Sequence, residues 1–375
     1  MADERLAILA EDAREHLAPH EHAFELCAFC PKMCRFACPV AEADSREAFT
    51  PWAKMSASFL AIKDGAPLAT AFETAWACTA CGHCTDYCAH GNVVGVALAD
   101  VRAAGVAAGL PSPVTDSIVA AYRKNGTPGG KDHGARKEKI PVDLRDDGSS
   151  PALFLAGCSG HDAAVTPAVR ILEKLGGRGV TLSTDGACCG SSLLFAGRPD
   201  LFEEHARAFA AKMAKRKVLI LADAGCAWTM RTLYREHGIR LKPEVLHVSE
   251  WLASFFRERV LKAKHRVKGE FYYHDPCSLA RHLGIVDEPR AVLSAVLADP
   301  VREFAWNRRD ARCCGGGALL PQSMPDTSAR MAEDRVGEAR AAGAAIVTAC
   351  ASCEKTLGGH GVKVLDLLSL VADAI

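Results

Sequence analysis

The chain has 375 residues, which suggests about two or three domains, and its 49% apolar and 24% charged residues are typical of a globular protein. Lysine plus arginine number 45 and aspartate plus glutamate also number 45, so the formal net charge is zero. This balance excludes the bulk charge signal of a protein that binds nucleic acid or an anionic membrane surface.

The N-terminal stretch "MADERLAILAEDAREHLAPH" mixes acidic and basic residues and predicts an amphipathic helix rather than a secretory signal. No apolar run reaches the roughly 18 residues of a spanning helix, so we expect no transmembrane segment. The chain is therefore expected to be cytoplasmic, with any membrane association made through a partner. In a reducing compartment its 17 cysteines favour metal or cluster binding over disulfides.

Residues 1–125 are predicted to form an α-helical domain, because stretches such as "AFTPWAKMSASFLAIKDG" and "PLATAFETAWAC" are alanine-rich and amphipathic. Two runs of cysteines lie in this segment. The first, "CAFCPKMCRFACPV", contains Cys27, Cys30, Cys34 and Cys38, and the second, "CTACGHCTDYC", contains Cys78, Cys81, Cys84 and Cys88.

The second run has the C-x₂-C-x₂-C-x₃-C spacing of two-cluster ferredoxins, in which the fourth cysteine ligates the other cluster. This spacing predicts two four-iron four-sulfur (4Fe-4S) clusters with crossed ligand sets. One set is Cys78, Cys81, Cys84 and Cys38, and the other is Cys27, Cys30, Cys34 and Cys88. The first run has one extra residue, with Met33 where the third cysteine normally lies, and the second has Ala89 in place of proline. Structural zinc is the alternative, but zinc does not need the third cysteine of each run.

Aromatic residues and histidines flank both runs. Phe29, Phe36 and Trp76 could shield a cluster, but we expect them to be ordinary core aromatics. His83 and His90 are expected beside the ligands or on the surface, because each cluster already has its thiolates.

Residues 126–150 are predicted to be a solvated linker, since the sequence is rich in glycine, proline and charge. It contains "GTPGGKD", which resembles a phosphate-binding loop only loosely. Asn125 and Asp132 stand where that pattern needs glycine and serine or threonine.

From Pro151 onward, short apolar runs such as "PALFLAGC", "KVLILADAGC" and "EFYYHDPC" alternate with helical stretches, which predicts parallel sheets. The runs also repeat: "GACCGSSLLFAG" corresponds to "ARCCGGGALLPQ", and "VLILADAGCAWTM" to "AIVTACASCEKTL". A duplication would give two α/β lobes, residues 151–266 and residues 267–375.

Each repeat contains a lone cysteine, a Cys-Cys-Gly and a further cysteine at a strand end. Adjacent cysteines make a strained disulfide but can present two thiolates to one metal assembly. Residues 315–317 are all glycine, which lets the backbone approach closely. A nucleotide loop is the rival interpretation of these glycines, but the G-x-G-x-x-G spacing after a strand is missing.

The repeated cysteine pattern, with "YYHDPCSLARHLG", "RCCGGGALLP" and "TACASCEKTL", resembles the CCG domain of heterodisulfide reductases and their relatives. These relatives include the iron–sulfur subunits of glycolate, lactate and anaerobic glycerol-3-phosphate dehydrogenases. The eight N-terminal cysteines resemble the α-helical ferredoxin domain often fused to it. The expected fold is therefore α+β and multidomain, with an N-terminal α-helical two-cluster ferredoxin domain followed by two duplicated α/β CCG lobes.

The resemblance implies that a complete CCG motif holds a noncubane 4Fe-4S cluster that cleaves a disulfide one electron at a time. The second repeat matches the full set of five thiolates: Cys277, Cys313, Cys314, Cys350 and Cys353. The first repeat has four, with Thr229 in the fifth place, and so implies an ordinary or altered cluster, or a degenerate site: Cys158, Cys188, Cys189 and Cys226.

Polar residues beside Cys277 have two interpretations each. His274 and Asp275 could supply a proton to a departing thiolate or donate hydrogen bonds to cluster sulfur. Alternatively they close a strand-to-helix turn, with Asp275 as a helix cap. Arg281 and His282 could bind an anionic substrate, or they could lie on a solvated helix face.

Three functions are compatible with these patterns. The first is an iron–sulfur subunit that passes electrons between a flavoprotein dehydrogenase or other redox subunit and a quinone, a ferredoxin or a disulfide. The second is a disulfide reductase whose catalytic residues are the five cysteines of the second repeat and His274. The third is a non-redox metal scaffold, which would leave more thiolates than zinc uses.

Overall fold

A computed structural model describes residues 11–63, 65–127, 134–158 and 164–375. The α-helices are α1 (Glu11–Leu17), α2 (Glu21–Ala28), α3 (Pro39–Asp44), α4 (Pro51–Lys63), α5 (Leu68–Ala75), α6 (His83–Asp86), α7 (Val94–Ala107), α8 (Thr115–Asn125), α9 (Val165–Lys174), α10 (Ser191–Phe195), α11 (Pro199–Met213), α12 (Ala224–Trp228), α13 (Tyr234–Glu236), α14 (Val248–Arg257), α15 (Asp287–Val296), α16 (Leu320–Ser323), α17 (Pro325–Ala341), α18 (Ala351–Leu357) and α19 (Leu367–Ala374).

The strands are β1 (Ala152–Leu155), β2 (Val180–Leu182), β3 (Val218–Leu221), β4 (Glu244–His247), β5 (Phe271–His274), β6 (Arg302–Glu303), β7 (Ala345–Thr348) and β8 (Val364–Asp366). Two π-helical turns follow the cysteine-bearing strand ends, at Thr229–Leu233 and Ser278–Leu283. Short 3₁₀ helices complete the described elements.

The chain folds into two compact units whose residues are not contiguous in sequence. The first comprises residues 1–119, 192–202 and 312–334, and the second comprises residues 120–191, 203–311 and 335–375. The first unit therefore includes the segments that follow the Cys-Cys-Gly of each repeat.

The first unit has a helical core formed by the apolar faces of α1, α2, α4, α5 and α7. In α4 the buried residues recur with the helical period: Pro51, Lys54, Met55, Ser58 and Ala61. α7 is buried on most sides because small side chains dominate it. The predicted helices in this segment are confirmed, and the predicted N-terminal helix is described only from Glu11 onward.

The second unit contains two four-stranded parallel sheets, ordered β2-β1-β3-β4 and β6-β5-β7-β8. The strand order is the same in both sheets: β1 and β5, the first strands of the two repeats, each lie between the second and third strands of their own repeat. In register, Phe154 pairs with Leu182 and with Ile220, and Tyr273 pairs with Val347. The prediction of two duplicated α/β lobes is confirmed. Because all strands are parallel, the cysteines that follow β1 and β3 lie at one edge of the first sheet.

Part of the predicted linker is folded, so its interpretation as a solvated segment was wrong for residues 134–150. Arg136, Ile140 and Leu144 are buried there. The Arg136 guanidinium donates to the carbonyl oxygens of Asp185 at 2.9 Å and Gly157 at 3.0 Å. These contacts tie the segment to the first lobe. The core of the weak phosphate-loop match, residues 128–132, lies outside the described residues.

Among the helices of the described residues, none is long and apolar enough to cross a membrane.

Candidate metal centres

One cavity of the first unit is lined by four cysteines that come from both runs: Cys38, Cys78, Cys81 and Cys84. We call it the Lys54 cavity, because Lys54 also lines it. Cys38 precedes α3, Cys78 and Cys81 lie in the loop between α5 and α6, and Cys84 lies in α6. The fourth cysteine of the first run is thus brought to the first three of the second run.

The loop around this cavity turns tightly. Ala80 and Gly82 both have positive φ, 52° and 74°, and the Ala80 N–H points at Cys78 Sγ at 3.3 Å. Gly95 of α7 lies directly against this loop, because a Cβ built there would be 2.9 Å from the Ala80 Cα. A glycine at this position therefore allows the loop to approach the helix.

Lys54 is the charged side chain of this cavity. It is 1% exposed, its Nζ donates to the Ala77 carbonyl oxygen at 2.6 Å, and Nζ lies 3.9 Å from Cys38 Sγ. Burial lowers the pKa of Lys54, but the neighbouring cysteine thiolates outweigh that effect and hold the pKa above its usual value. Lys54 was not among the residues predicted from the sequence. Its position in phase with Met55, Ser58 and Ala61 on the buried face of α4 was the available signal.

A second cavity is lined by the complementary four cysteines and by Cys84: Cys27, Cys30, Cys34, Cys84 and Cys88. We call it the Asn92 cavity, because Asn92 also lines it. Burial raises the pKa of Cys27 and of Cys34 to about 11, and the nearby thiols add to the increase. Thiols packed this closely keep their protons unless a metal cation binds the sulfurs in their place. Cys84 and Val94 line both cavities, so the two sets of cysteines are neighbours.

Asn92 supplies hydrogen bonds to the sulfurs of this cavity. Its side-chain amide donates to Cys27 Sγ at 3.2 Å and to the Ala23 carbonyl oxygen at 3.2 Å, and its backbone N–H donates to Cys88 Sγ at 3.4 Å. The extra residue of the first run is accommodated at Lys32, where the backbone takes a φ of 65°. Cys34 still reaches the cavity.

The expectation that Phe29 and Phe36 are core aromatics was wrong. Phe29 is 77% exposed and Phe36 is 56% exposed, and Met33 between them is 62% exposed. Phe29 lies edge-on to Phe59, and Phe36 lies edge-on to Tyr87. Three exposed apolar side chains therefore lie along the segment that carries Cys30 and Cys34.

Trp76 is buried, as a core aromatic is expected to be. His83 is also buried, whereas His90 is exposed and borders the Asn92 cavity.

The first repeat brings its four cysteines together within the second unit. Cys158 Sγ lies 3.3 Å from Cys188 Sγ, and the Cys189 side chain is hydrogen-bonded to those of Cys188 and Cys226. All four are free thiols. His205 contacts the Cys188 carbonyl oxygen at 2.7 Å. Asp223 caps α12 by accepting from the Cys226 N–H at 3.0 Å.

Thr229, in the place of a fifth cysteine, is fully buried, and its hydroxyl donates to the Gly225 carbonyl oxygen at 2.7 Å. The hydroxyl is thus engaged by the preceding turn of the helix. The described geometry of the first repeat offers four sulfurs.

The glycine of each Cys-Cys-Gly has a backbone role. Gly190 has a φ of 80° and Gly315 a φ of 93°, which other residues rarely adopt. In this conformation the Gly190 N–H points at Cys188 Sγ at 3.3 Å, and the Gly315 N–H points at Cys313 Sγ at 3.5 Å. The motif therefore combines two adjacent thiols with a backbone donor to the first.

The cysteines of the second repeat fall in both units. Cys313 and Cys314 belong to the first unit and are buried, and the Gly316 N–H points at Cys314 Sγ at 3.3 Å. The other three belong to the second unit, where Cys350 and Cys353 are buried and Cys277 is partly exposed.

His274 ends β5 and is buried. Its Nδ1 accepts from Arg335 Nε at 3.0 Å, so a neutral ring carries its proton on Nε2. Asp275 accepts from both terminal nitrogens of Arg290 at 2.8 Å and from the Arg308 N–H at 2.7 Å. The structure therefore engages Asp275 in a buried ion pair, and the helix-cap interpretation was wrong.

Arg281 and His282 do not lie on a solvated helix face. Arg281 is buried and donates to the carbonyl oxygens of Arg309 at 2.7 Å and Ala311 at 2.5 Å. The His282 ring stacks on the Trp228 ring with centroids 4.0 Å apart. Trp228 is the last residue of α12, which carries Cys226 in the first lobe, and His282 lies in the second lobe. The stack therefore joins the two lobes.

Arg102 of α7 is a further buried residue that sequence reasoning missed. Its guanidinium donates to four carbonyl oxygens of the first unit, at distances of 2.8 to 3.1 Å: Ala75, Cys78, Phe195 and Ala318. Phe195 and Ala318 follow the Cys-Cys-Gly of the first and second repeats. Arg102 therefore holds both segments beside the Cys78 loop.

Family models match the two regions of the chain separately. The model described as a 4Fe-4S dicluster domain matches residues 23–92, and the model described as a cysteine-rich domain, CCG, matches residues 152–231 and 271–358. A component of the dihydromethanophenazine:CoB–CoM heterodisulfide reductase of Methanosarcina barkeri is 31% identical over 80% of this chain and 77% of its own length. The chain belongs to the CCG iron–sulfur oxidoreductase family.

Other CCG-family relatives are components of different redox proteins. A component of the fumarate reductase (CoM/CoB) of Methanothermobacter marburgensis is 27% identical over 80% of this chain and 61% of its own length. The EtfAB:quinone oxidoreductase of Syntrophomonas wolfei is 26% identical over 65% of this chain and 36% of its own length. The family thus includes proteins named for disulfide, fumarate and quinone chemistry.

Proposed function

We propose that this CCG-family chain is an iron–sulfur subunit that relays electrons between a flavoprotein-type partner and an acceptor such as a quinone, a ferredoxin or a disulfide. The observation that carries the proposal is the pair of adjacent cavities in the first unit. The two complementary sets of four cysteines, each drawn crosswise from the two runs, line one cavity each, and Cys84 borders both cavities.

The donor sets fit 4Fe-4S clusters. One complementary set of four cysteines lines each cavity, backbone and amide N–H groups point at several of the sulfurs, and the described cysteines are free thiols. A 4Fe-4S cluster supplies one-electron transfer when it is bound. The chain's own residues supply the thiolates and donate hydrogen bonds to the sulfurs.

Contacts in the first unit support a path from these cavities to the second repeat. A Cβ built on Gly317 would lie 2.4 Å from the Thr79 carbonyl oxygen, so the glycine backbone lies directly against the Cys78–Cys81 loop. Arg102 donates to the Cys78 and Ala318 carbonyl oxygens, both at 2.8 Å. Gly317 follows Cys314 by three residues. The segment after the second Cys-Cys-Gly is thus held at the edge of the Lys54 cavity.

The second repeat is proposed to hold a 4Fe-4S cluster, cubane or noncubane, on its five cysteines, as the family pattern indicates. The first repeat is proposed to hold a further cluster on Cys158, Cys188, Cys189 and Cys226. His274 is proposed to donate from Nε2 towards the second site. We also propose the domain boundaries at residues 125, 150 and 266, and a partner that brings the two-electron chemistry.

The exposed apolar side chains support electron entry at the Asn92 cavity. Phe29, Met33 and Phe36 surround the loop that carries two of its cysteines. The nearby charges of Lys32 and Arg35 are both paired with Glu47, at 3.7 and 2.8 Å. The three exposed apolar side chains, beside cations that share the Glu47 carboxylate, suit contact with another protein.

A disulfide reductase is the second candidate, favoured by the complete cysteine set of the second repeat and by the name of the 31% identical relative. In that reaction two electrons and two protons convert one disulfide to two thiols. Cys353→Ala should then abolish turnover of a small disulfide. Cys226→Ala is the control, because it removes a thiol from the other repeat.

The test of the relay is iron and sulfide content with EPR during a redox titration of anoxically purified protein. We expect about sixteen irons for four 4Fe-4S clusters. Cys38→Ser should remove the signal of only the cluster to which Cys78 belongs, and Cys88→Ser only that of the other. Zinc in place of iron, or loss of both signals in either variant, would overturn the crossed assignment.

A further inference from the structure

The two cysteine cavities of the first unit differ in charge. The Lys54 cavity contains a buried ammonium, whereas the sulfurs of the Asn92 cavity receive a neutral amide and a backbone N–H. Lys32 also lines the Asn92 cavity, but its side chain is 38% exposed and its charge is paired with Glu47 at 3.7 Å. Among the described residues, no carboxylate lies within 4.0 Å of Lys54 Nζ, which instead contacts a carbonyl oxygen and a cysteine sulfur.

An isolated buried ammonium is costly unless a negative charge lies nearby. The four thiolates of the same cavity are the anions available to Lys54, and a 4Fe-4S cluster on four thiolates is itself anionic. Its net charge becomes one unit more negative on reduction. A fixed positive charge therefore favours the reduced form, and charge is one of the factors that set cluster potentials.

We propose that the Lys54 ammonium sets the reduction potential of the cluster in the Lys54 cavity above that of the cluster in the Asn92 cavity. This inference rests on the proposed function, since it requires both clusters. Hydrogen bonds from Asn92 also favour reduction, but a full charge in a buried site acts more strongly than a neutral donor.

The ordering gives the relay a direction. An electron that enters at the Asn92 cavity, beside the exposed Phe29 and Phe36, passes downhill to the Lys54 cavity. From there the Cys78–Cys81 loop contacts the segment that follows Cys314. The lysine therefore makes the chain an acceptor of electrons at its apolar face and a donor towards the second repeat.

The test is a potentiometric EPR titration of Lys54→Met beside the unaltered protein. Of the two midpoint potentials that belong to the clusters of these cavities, we expect the higher to fall by at least about 59 mV, which corresponds to a tenfold change in a one-electron reduction equilibrium. The lower midpoint should stay in place. Lys54→Arg, which keeps the charge, should retain the higher midpoint, and Lys54→Gln, which keeps a donor for Ala77, should lower it.

Lys63→Met is the matched control, because Lys63 ends the same helix, is exposed and pairs with Glu21. Both midpoints should be unchanged in it. Loss of four irons in the Met and Gln variants, with all irons retained in the Arg variant, would also support the charge role. An unaltered higher midpoint in either neutral variant that keeps its irons would overturn the inference. Failure of the proposed function itself would be visible earlier, as the absence of two cluster signals in the unaltered protein.

Discussion

The guanidinium of Arg102 donates to the Cys78 carbonyl oxygen at 2.8 Å, and the same side chain donates to the Ala318 carbonyl oxygen at 2.8 Å. One buried residue thus joins a cysteine loop of the N-terminal sequence to a segment more than 200 residues later. Burial lowers the pKa of Arg102 to about 10, but the side chain remains charged at neutral pH.

Replacing Arg102 should destabilise the first unit. Arg102→Met would leave the carbonyl oxygens of Ala75, Cys78, Phe195 and Ala318 without this donor. Each buried acceptor left unpaired costs about 1–3 kcal/mol, so we expect the free energy of unfolding to fall by about 3 kcal/mol or more. Anoxic denaturant unfolding of the loaded protein measures this.

Arg170→Met is the control for that comparison, because Arg170 is exposed and pairs with Asp373 at the surface. Its effect should stay within about 0.5 kcal/mol. Arg102→Lys should be intermediate, since an ammonium cannot reach all four carbonyl oxygens. Equal stability of Arg102→Met and Arg170→Met would show that the carbonyl contacts are unimportant.

Asn92→Ala should lower the reduction potential of the cluster proposed for the Asn92 cavity. The substitution removes the amide donor to Cys27 Sγ, and hydrogen bonds to cluster sulfur raise the potential. The backbone donor to Cys88 remains, so we expect the cluster to be retained. Potentiometric EPR should show only the lower midpoint moving, and iron content should be unchanged. A shift of the higher midpoint instead would reverse the assignment of the two cavities.

Gly95→Ala should disturb the Lys54 cavity although alanine is the better helix former. The new Cβ would lie 2.9 Å from the Ala80 Cα, which is backbone and cannot swing aside. We expect a loss of stability of about 1–3 kcal/mol, as in overpacked cores, and a lower yield of bound iron. Gly337→Ala in α17 is the matched control, because nothing lies within 4 Å of its built Cβ. That control should gain about 0.5–1 kcal/mol, and a similar gain in Gly95→Ala would contradict the close contact.

Periodicity and spacing were enough to predict the helices of the first unit, the duplicated parallel sheets and the sets of cysteines that the structure brings together in each cavity. They could not predict the buried partners. Lys54 follows the apolar period of α4, but its contact with Cys38 arises only when the cysteine run folds over the helix. Arg102 likewise interrupts an apolar run, and its acceptors are distant in sequence.

Local composition was misleading at two places for the same reason. Arg136 lies in a charged, glycine-rich segment, and only the first lobe's carbonyl oxygens account for its burial. Phe29 and Phe36 have core-type side chains, yet the loop between Cys27 and Cys38 turns them outward because its cysteines face the cavity. Composition describes a segment alone, whereas burial depends on what packs against it.

The buried carboxyl of Asp366 should make stability depend on pH. Burial, with a further contribution from Glu354, raises its pKa to about 8, although the Leu368 N–H opposes the shift by donating to it at 2.8 Å. Because the folded state holds this proton more tightly than the unfolded chain, its stabilisation is full below about pH 4 and is lost as the pH rises through 8. We therefore expect the free energy of unfolding to fall between pH 5 and pH 8, by up to about 1.4 kcal/mol per pH unit from this group.

Asp366→Asn keeps the helix cap and should flatten that slope, leaving the smaller part due to Glu354, whose pKa burial also raises. Asp373→Asn, at an exposed site on the same helix, should keep the full slope, and an equal slope in both variants would rule out Asp366 as its source.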